Sequence, residues 1–484
     1  MKLAALLEGI DLLSVHVDLD VDVANIQYDS RQVTVGDVFV AMAGYETDGH
    51  RYIPQALAQG AVAVVCETVP EGNQEGEIPY IQVVNSRRAL AELGCNYYGH
   101  PSKAMTMIGI TGTNGKTSTT YLMKAILEQC LDAKVGLIGT NQNLIGDTVL
   151  ETERTTPESF ALQGILAQMR DGGCTHVVME VSSHAMSLDR VCGIDYAVGV
   201  YTNLTQDHLD FHHTMEEYCD AKALLFQQCA MGVYNQDDPW SVRLMTQATC
   251  QRFSYGQKKG ANLRADHVDL TAKGIAFDVI CPAGEVRVQL AIPGEFMVYN
   301  TLAAIGAARA LGLDLKDIAK ALKTFHGVKG RVEVVPTPDK DYTILIDYAH
   351  SPDGLINVLS TVQGFAKGRT IAVFGCGGDR DRTKRPKMGA AAVAHCDLAV
   401  ITSDNPRTEE PSTIIADILP GVEGSTTPYQ VVENRIEAIH WAMDEAKAGD
   451  VIVLCGKGHE TYQEINHVKH HLDEREIVAE YLKQ

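Results

Sequence analysis

The chain has 484 residues, which is too long for a single hydrophobic core and predicts about three domains. Its formal net charge of -21 opposes binding to a nucleic acid over a broad surface, because such binding needs a basic face. No segment approaches the ~18 consecutive apolar residues of a membrane-spanning helix. Scattered single cysteines and an amino terminus interrupted by Glu8 and Asp11 predict a cytoplasmic protein without a signal peptide.

Residues 1–97 are predicted to form a small α/β domain. Short apolar segments alternate with polar turns, and strands are expected after Asp37, from Ala61 and from Ile81. A helix near Ser86 closes this part of the chain.

Residues 98–328 are predicted to form a central, doubly wound α/β domain. A buried-strand candidate from Ala104 runs into a glycine-rich turn and then into a helix with apolar periodicity from Ser118. Further strands are expected from Val177 and Ala197. This alternation is typical of a parallel sheet covered by helices.

Residues 329–484 are predicted to form a third, Rossmann-like α/β domain. Four strand candidates are each followed at once by a polar or glycine-rich loop; they start at Tyr342, Thr370, Leu398 and Asp450. Ligands of open α/β sheets bind beyond the carboxyl ends of the strands, so these loops should line one edge. The densest basic segment, Arg380–Lys387, is either a local pocket for an anionic small molecule or a solvated loop.

The turn at Gly112–Thr117 has the context of a phosphate-binding loop, because it follows a strand and opens a helix. Glycines allow backbone N–H groups to approach phosphate oxygens, Lys116 supplies a positive charge, and the hydroxyl of Thr117 can ligate Mg²⁺. The pattern departs from the usual phosphate-loop signature, since Ile110 stands where the first glycine is expected. The predicted nucleotide contacts are Gly112, Thr113, Asn114, Gly115, Lys116, Thr117 and Ser118.

Lys222 lies on a predicted helix that starts with a capping box formed by Thr214 and Glu217. Met215, Tyr218, Leu225 and Cys229 mark the apolar face of that helix, and Lys222 falls on the same face. Such a lysine commonly extends its charge to solvent. A buried lysine with a depressed pKa is the alternative, and only its neutral amine would be nucleophilic.

Four segments together resemble the Mur ligases, the family that builds the peptide stem of peptidoglycan. They are TGTNGKT (111–117), MEVSSHA (179–185), NLTQDHLDFH (203–212) and DYAHSPDG (347–354). The resemblance covers essentially the whole chain and implies an ATP-dependent, ADP-forming amide ligase. ATP converts a carboxylate, which is a poor electrophile, into an acyl phosphate, and a magnesium-assisted site must neutralise the charge of that step.

Within the family the sequence is most similar to the members that add the third amino acid. The resemblance therefore implies that meso-diaminopimelate is added to the D-glutamate of UDP-N-acetylmuramoyl-L-alanyl-D-glutamate, giving the UDP-MurNAc-tripeptide, ADP and phosphate. It places the chain in cell-wall biogenesis, which serves cell shape, cell division and the cell cycle. We expect a monomer.

The resemblance also implies two magnesium sites and a set of catalytic residues that includes Lys116. Glu180 would meet the ion held by Thr117, while His208 and a carbamylated Lys222 would hold the second ion. Three further residues would contact the nucleotide, namely Asn300, Arg331 and Asp347. Met297 stands where the family more often has asparagine.

Two more groups of residues would bind the substrates. The UDP-sugar dipeptide would contact Ser30, Arg31, Thr155, Thr156, Ser182 and Arg190, although capping of turns would equally explain the serine and the threonines. The amino acid would contact Arg385, Asp404, Asn405, Arg407, Gly456 and Glu460. Among these, Arg407 would select meso-diaminopimelate over L-lysine, because a guanidinium pairs with the second carboxylate of diaminopimelate, which L-lysine lacks.

The alternatives differ from this prediction in substrate or in class of protein. An L-lysine-adding relative would lack the arginine of DNPR, and a D-alanyl-D-alanine-adding or folate-polyglutamate ligase would lack DNPR and GKGHE. A phosphate-loop kinase or nucleotide-gated binding module would have little use for paired metal ligands.

Overall fold

The computed structural model describes residues 1–44, 47–69, 78–150, 154–271, 274–325 and 327–483. The chain forms two compact units. One comprises Met1–Tyr255 with Gly306–Leu313, and the other comprises Gly256–Ile305 with Asp314–Gln484. The predicted domain boundaries at 97/98 and 328/329 stay a prediction.

The amino-terminal part of the first unit is a five-stranded sheet in the order β1-β5-β4-β3-β2. All neighbouring strands are parallel except β1, which is antiparallel to β5. The elements are α1 (Leu3–Leu6), β1 (Leu12–His16), β2 (Ile26–Gln27), β3 (Val38–Val40), α2 (Ile53–Ala58), β4 (Ala63–Cys66), β5 (Tyr80–Val83) and α3 (Ser86–Tyr98). The predicted strands and the closing helix are thus present.

The rest of the first unit is built on six parallel strands in the order β13-β12-β11-β6-β10-β7, followed by the antiparallel pair β8-β9. Its strands are β6 (Thr106–Thr111), β7 (Val135–Ile138), β8 (Asn143–Ile145), β9 (Thr148–Leu150), β10 (His176–Glu180), β11 (Tyr196–Tyr201), β12 (Cys229–Asn235) and β13 (Gln251–Gly256). Its helices are α4 (Lys116–Leu131), α5 (Ser159–Asp171), α6 (Ser183–Ser187), α7 (Leu209–His212), α8 (Met215–Ala223) and α9 (Ser241–Gln247).

The helix that carries Lys222 is shorter than its apolar pattern predicted. Thr214 caps α8, and its hydroxyl accepts a hydrogen bond from the backbone N–H of Glu217 at 3.1 Å, as expected for a capping residue. The helix ends at Ala223, and Leu225 belongs to a 3₁₀ turn. Cys229 is the first residue of β12 and does not belong to the helix, contrary to the prediction. The apolar spacing misled the prediction because it continues from the helix into the next strand.

The second unit begins with an antiparallel meander that the sequence pattern did not predict. It comprises β14 (Leu263–Thr271), β15 (Gly274–Cys281) and β16 (Gly284–Leu290), followed by α10 (Glu295–Ala310) and α11 (Leu315–Leu322). Alternating burial along β14 and β15 is typical of strands with one covered face.

The carboxy-terminal sheet has the order β17-β18-β22-β19-β20-β21, with only β17 antiparallel. Its strands are β17 (Glu333–Val335), β18 (Thr343–Asp347), β19 (Thr370–Phe374), β20 (Leu398–Ile401), β21 (Tyr429–Val431) and β22 (Val451–Cys455), and a separate hairpin is formed by β23 (Tyr462–Ile465) and β24 (Val468–His471). The helices are α12 (Pro352–Gln363), α13 (Lys384–Ala394), α14 (Pro411–Ile418), α15 (Arg435–Glu445) and α16 (Glu474–Tyr481). Apolar clusters cover both faces of this sheet, which explains why its strands read as continuous apolar runs.

The predicted fold class is therefore confirmed: a small α/β sheet, a central parallel sheet with a phosphate-type loop, and a carboxy-terminal Rossmann-like sheet. Across the described ranges, no helix has both the length and the apolar character needed to cross a membrane.

Candidate active site

The predicted phosphate loop connects β6 to α4. Gly112 has φ +146°, and a Cβ atom there would lie 1.9 Å from the hydroxyl oxygen of Thr202, so the loop requires glycine at this position. The Nζ of Lys116 donates to the carbonyl oxygens of Gly112 and Thr113, both at 2.9 Å. The lysine thus lies over its own loop, next to the amino terminus of α4, where a phosphate would be favoured.

The two strands beside β6 bring further side chains to the same edge of the sheet. Glu180 at the end of β10 pairs in register with Ile110 of β6, and Tyr201 at the end of β11 pairs with Thr111. The segment after β11 contacts the loop directly, since Asn203 accepts a hydrogen bond from the N–H of Asn114 through its Oδ1 at 3.0 Å. The phosphate loop, Glu180 and the loop that carries His208 therefore lie at one carboxyl edge.

Glu180 is almost completely buried, and Thr140 donates to both of its carboxylate oxygens at 3.0 Å, through the backbone N–H and through the hydroxyl. The same hydroxyl lies 3.0 Å from that of Thr155. Thr156 donates to the carbonyl oxygen of Glu180 at 2.9 Å. The acidic residue and the predicted substrate contacts Thr155 and Thr156 thus form one hydrogen-bonded network.

The network continues to the other residues predicted to hold the dipeptide. The hydroxyl of Thr156 accepts from the N–H of Ser182 at 3.2 Å, and the Nη1 of Arg190 donates to the carbonyl oxygen of Thr156 at 3.4 Å. Arg190 also pairs with Glu158 at 3.2 Å. Burial lowers the pKa of Arg190, and the nearby guanidinium groups of Arg154 and Arg87 act in the same direction, against the effect of Glu158. The guanidinium groups of Arg190, Arg154 and Arg87 therefore lie near one another, and such groups can pair with an anionic substrate.

Ser30 and Arg31 lie in a 3₁₀ turn of the amino-terminal sheet that is capped by Asp29. The hydroxyl of Ser30 donates to Oε1 of Gln55 at 3.2 Å, whereas the exposed guanidinium of Arg31 pairs with Asp29 at 2.7 Å. Turn capping is thus one role that this segment already has, and its contact with UDP stays a prediction.

Lys222 is buried, with 1% of its surface exposed, which excludes a side chain that extends to solvent. Its Nζ donates to the carbonyl oxygen of Gly112 at 3.1 Å and lies 4.3 Å from the ring centroid of Tyr218. Burial, and next the positive charge of Lys116, lower its pKa well below the ordinary lysine value. The amine of Lys222 is therefore held directly against the phosphate loop, in surroundings that disfavour its charged form.

His208 adopts a left-handed backbone conformation, φ +52°, just before α7. Its Nε2 lies 3.5 Å from a carboxylate oxygen of Asp207, and its ring is about half exposed. The rings of His184 and Tyr218 lie at centroid distances of 4.8 and 6.1 Å. This cluster also brings His208 close to the helix of Lys222.

Within the described residues, no group of three His, Cys, Asp or Glu side chains stands ready to hold a metal ion. The predicted magnesium ligands offer a hydroxyl and a carboxylate oxygen, from Thr117 and Glu180, which fit a hard cation. An unmodified Lys222 does not fit, because an amine or ammonium supplies no anionic oxygen. The second magnesium site therefore fits these residues only if Lys222 is modified.

Three predicted nucleotide contacts lie in the second unit. Asn300 is buried in α10, and its Nδ2 lies 3.7 Å from the sulfur of Met297. Asp347 accepts from the N–H groups of Val332 at 2.8 Å and Ala349 at 2.9 Å, and burial raises its pKa. Arg331 lies over the ring of Tyr348 at 5.5 Å. Their contact with ATP stays a prediction.

A cavity of about 240 Å³ opens at the carboxyl ends of β18, β19, β20 and β22. The sequence predicts polar or glycine-rich loops at these four strand ends. The volume of the cavity suits a small polar molecule, being below the range of drug-sized ligands. It is lined by Tyr348, His350, Gly375, Gly377, Arg380, Lys384, Asp404, Asn405, Arg407, Gly456 and Glu460. Five of the six predicted amino-acid contacts are thus together. A larger cavity, about 400 Å³, lies at the β14–β15 end and contains no motif residue.

The hairpin β23–β24 holds the loop at residues 404–407 in place. Arg407 has φ +50°, donates from its backbone N–H to the carbonyl oxygen of Glu464 at 3.0 Å, and pairs its Nε with the carboxylate of Glu464 at 3.2 Å. Its Nη1 donates to the carbonyl oxygen of Gly378 at 2.8 Å. Gly456 has φ +113°, and a Cβ there would lie 2.2 Å from Oδ2 of Asp404. A larger residue at 456 would displace that carboxylate.

Arg385 does not line the cavity. Its guanidinium is fully buried and donates to both carboxylate oxygens of Glu409, at 2.7 and 2.9 Å, and to Asp417 at 2.8 Å. Two neighbouring residues, Arg380 and Lys384, supply positive charge to the cavity instead. The basic segment Arg380–Lys387 therefore lines the cavity through Arg380 and Lys384. Contact of Arg385 with a substrate stays a prediction.

The pairing of Glu409 with Arg385 predicts a pH effect on stability. The hydrogen bond from Arg385 lowers the pKa of Glu409 from 4.5 to about 2. A carboxyl with a depressed folded-state pKa contributes stability above pH 4.5 that is lost as the pH falls toward 2. We expect Glu409→Gln to reduce the fall in unfolding free energy across this window, measured by urea denaturation. The exposed neighbour Glu410→Gln is the control, and an unchanged pH profile in Glu409→Gln would contradict the assignment.

The sequence analysis did not identify several residues of the site. Thr140 follows β7 and bonds to Glu180, although nothing in its surroundings marks it. His350 lies within DYAHSPDG and Lys457 within GKGHE, so their motifs could have pointed to them. Glu464 lies in a hairpin without a motif, and only the tertiary contact reveals it.

A phosphate-type loop on one parallel sheet and a charged cavity at the edge of another define an α/β enzyme of the phosphate-loop class. Three family models match the chain: "Mur ligase family, catalytic domain" over residues 22–98, "Mur ligase middle domain" over 110–308 and "Mur ligase, glutamate ligase domain" over 330–458. The chain belongs to the Mur ligase family.

Individual proteins give the same picture. The UDP-N-acetylmuramoyl-L-alanyl-D-glutamate--2,6-diaminopimelate ligase of Clostridium botulinum is 47% identical over 96% of this chain and 96% of its own length. A solved structure of a ligase with that name is 32% identical, with a TM-score of 0.72 over 100% of this chain and 99% of the other. The MurF ligase of Thermotoga maritima in complex with ADP, 20% identical with a TM-score of 0.60 over 95% of this chain and 97% of the other, shows the shared fold.

Proposed function

We propose that this ligase uses ATP to add meso-diaminopimelate to the D-glutamate of UDP-N-acetylmuramoyl-L-alanyl-D-glutamate through an acyl phosphate. The products are the UDP-MurNAc-tripeptide, ADP and phosphate. The observation that carries the proposal is the cavity at the end of four parallel strands, whose lining includes the cations Arg407, Arg380 and Lys384 and the carboxylates Asp404 and Glu460. A small molecule with both carboxylate and ammonium groups is the ligand that such a wall complements.

The relatives support the choice of substrate. Names of ligases that act with 2,6-diaminopimelate recur among relatives that match this chain over nearly its full length. L-lysine offers no second carboxylate, so binding it would leave the charge of Arg407 without a ligand partner.

The first unit supports binding of the other two substrates. Lys116 and the glycine-rich turn suit the phosphates of ATP, and a bound ADP in a structure of the same fold agrees with this role. The guanidinium of Arg190 and the hydroxyl groups of Thr155, Thr156 and Ser182 could donate hydrogen bonds to the anionic UDP-linked dipeptide. Ser30 and Arg31 would contact its uridine diphosphate.

Magnesium would supply charge neutralisation for the phosphoryl transfer. Thr117 and Glu180 would hold one ion, and His208 with a carbamylated Lys222 would hold the second. The uncharged amine of Lys222 would add to CO₂: an N–C bond forms as one C–O π bond breaks, and water takes up the released proton, which leaves a carbamate anion. Its remaining N–H can keep the hydrogen bond to Gly112 while the new oxygens bind the metal. We also propose that the enzyme is a cytoplasmic monomer.

One assay tests this proposal. Phosphate release is measured with ATP, magnesium and UDP-N-acetylmuramoyl-L-alanyl-D-glutamate, and meso-diaminopimelate or L-lysine is offered separately. We expect release that requires both acceptor and amine and that strongly favours diaminopimelate. A preference for lysine would identify the lysine-adding alternative. A parallel reaction offers D-alanyl-D-alanine with a tripeptide acceptor, and activity only in that reaction would identify the next ligase. Release without any amine would point to a kinase or ATPase.

A further inference from the structure

Lys457, directly after β22, is a completely buried lysine with no assigned role. Its Nζ donates to Oδ1 of Asn405 and to Oε2 of Glu460, both at 3.0 Å, and lies 5.6 Å from the ring centroid of Tyr462. A buried ammonium is costly unless it is paired and hydrogen-bonded. Asn405 and Glu460 both line the cavity. A buried cation therefore stands behind two of the side chains that face the ligand.

These contacts allow the Asn405 amide only one orientation. Its Oδ1 accepts from the ammonium of Lys457 at 3.0 Å and from the backbone N–H of Glu464 at 2.9 Å, and its Nδ2 donates to Glu460 at 2.8 Å. A flipped amide would set its NH₂ group against two donors and its oxygen against a carboxylate. Both acceptor sites of Oδ1 are used, so Asn405 can offer a ligand only its second N–H. It can read a carboxylate but not an ammonium.

Glu460 has the complementary restriction. Both Asn405 and Lys457 donate to its Oε2, which leaves Oε1 as the acceptor for a ligand among the described contacts. The donor Nδ2 of Asn405 and the carboxylate of Glu460 are 2.8 Å apart. The wall therefore presents a donor and an anionic acceptor side by side.

We propose that Lys457 is a positioning residue for substrate choice, because it locks Asn405 as a donor and Glu460 as an acceptor. The pair then reads a carboxylate and an ammonium carried by the same carbon. This inference rests on the proposed function, in which the far end of diaminopimelate is such a group. When lysine presents its α-amine for reaction, its far end is an ammonium alone, which would leave the N–H of Asn405 without a partner.

The test compares kcat/KM for meso-diaminopimelate and L-lysine in three variants. Lys457→Met keeps the length of the side chain and removes the donor; we expect the preference for diaminopimelate to fall about 10- to 100-fold, the range for one hydrogen bond to a charged group. The loss should lie mainly in KM for diaminopimelate, with KM for ATP unchanged. Lys457→Gln keeps a neutral donor and should retain most of the preference. Asn405→Asp replaces the donor by an acceptor and should lose the preference while Lys457 remains.

Thermal unfolding of each variant identifies any loss of fold, and if Lys457→Met does not fold, the contrast between Lys457→Gln and Asn405→Asp decides. Equal losses for both amino acids and ATP in the two Lys457 variants would mean a merely structural lysine and would overturn the inference. An unchanged preference in Asn405→Asp would overturn it as well. A wild-type enzyme that uses neither amino acid would overturn the proposed function; a diaminopimelate-specific wild type with unaltered variants would overturn this inference alone.

Discussion

Lys222→Ala is expected to lower kcat by about 10³-fold, which corresponds to ~4 kcal/mol of lost transition-state stabilisation at a metal site. The physical reason is that burial favours the uncharged, CO₂-reactive form of the Lys222 amine against the phosphate loop, and the anionic oxygens of the carbamate would hold magnesium. A small carboxylic acid added to the assay should restore part of the activity by occupying the space that alanine leaves. Phosphate release with and without added formate or acetate measures both effects.

Lys222→Met is the matched control, because its side chain fills the same buried space and should block rescue. Labelling of the wild-type enzyme with ¹³C-bicarbonate should give a carbamate resonance that is absent from both variants. A folded Lys222→Ala enzyme with full activity would rule out the carbamate. Equal rescue of the alanine and methionine variants would show that the added acid acts elsewhere.

Arg407→Ala is expected to raise KM for meso-diaminopimelate about 100-fold, since a charge-assisted pair with the substrate carboxylate is lost. Within the described contacts, the guanidinium uses its Nε for Glu464 and its Nη1 for Gly378, so Nη2 remains for a ligand. KM for ATP should change little, because the arginine lines the cavity proposed for the amino acid. Steady-state kinetics with each substrate varied in turn separate the two constants.

Arg407→Lys tests geometry apart from charge. Lysine keeps the positive charge but loses the planar fork, so we expect an intermediate KM for diaminopimelate. A comparable rise of both Michaelis constants in Arg407→Ala would mean that the residue supports the fold and that the substrate carboxylate binds elsewhere.

Motifs at strand ends were the part of the site most open to prediction. Gly112, Glu180, Asp404 and Gly456 each lie at the end of a buried strand or within a few residues of it. Within the central sheet and within the carboxy-terminal sheet, parallel strands bring their carboxyl-terminal loops to one edge of that sheet. Burial of Lys222 also agreed with its helical spacing, although the pattern extended the helix too far. The residues that hold these side chains were not predictable in the same way. Thr140 and the hairpin residue Glu464 are near the site only through tertiary contacts.

Arg385 marks the limit of residue-type reasoning. A guanidinium can serve a substrate carboxylate or a protein carboxylate equally well, and its neighbours in sequence do not tell which one it meets. In the folded chain Glu409 and Asp417 occupy it, while Arg380 and Lys384 face the cavity. Helix α13 begins at Lys384, so the side chains of Lys384 and Arg385 point in different directions. Of these two residues, Lys384 lines the cavity and Arg385 does not.

By itself the sequence determined the class of fold, the glycine-rich loop and the family resemblance, and it predicted that Arg407 selects a substrate with two carboxylates. These depend on strand periodicity, glycine placement and side-chain charge, which are local properties. The tertiary structure decided which charged side chains are available to a ligand and which form ion pairs within the protein. That outcome depends on long-range pairing and burial, as with Arg385 in its carboxylate pair and Lys457 behind Asn405 and Glu460, and no local pattern specifies it.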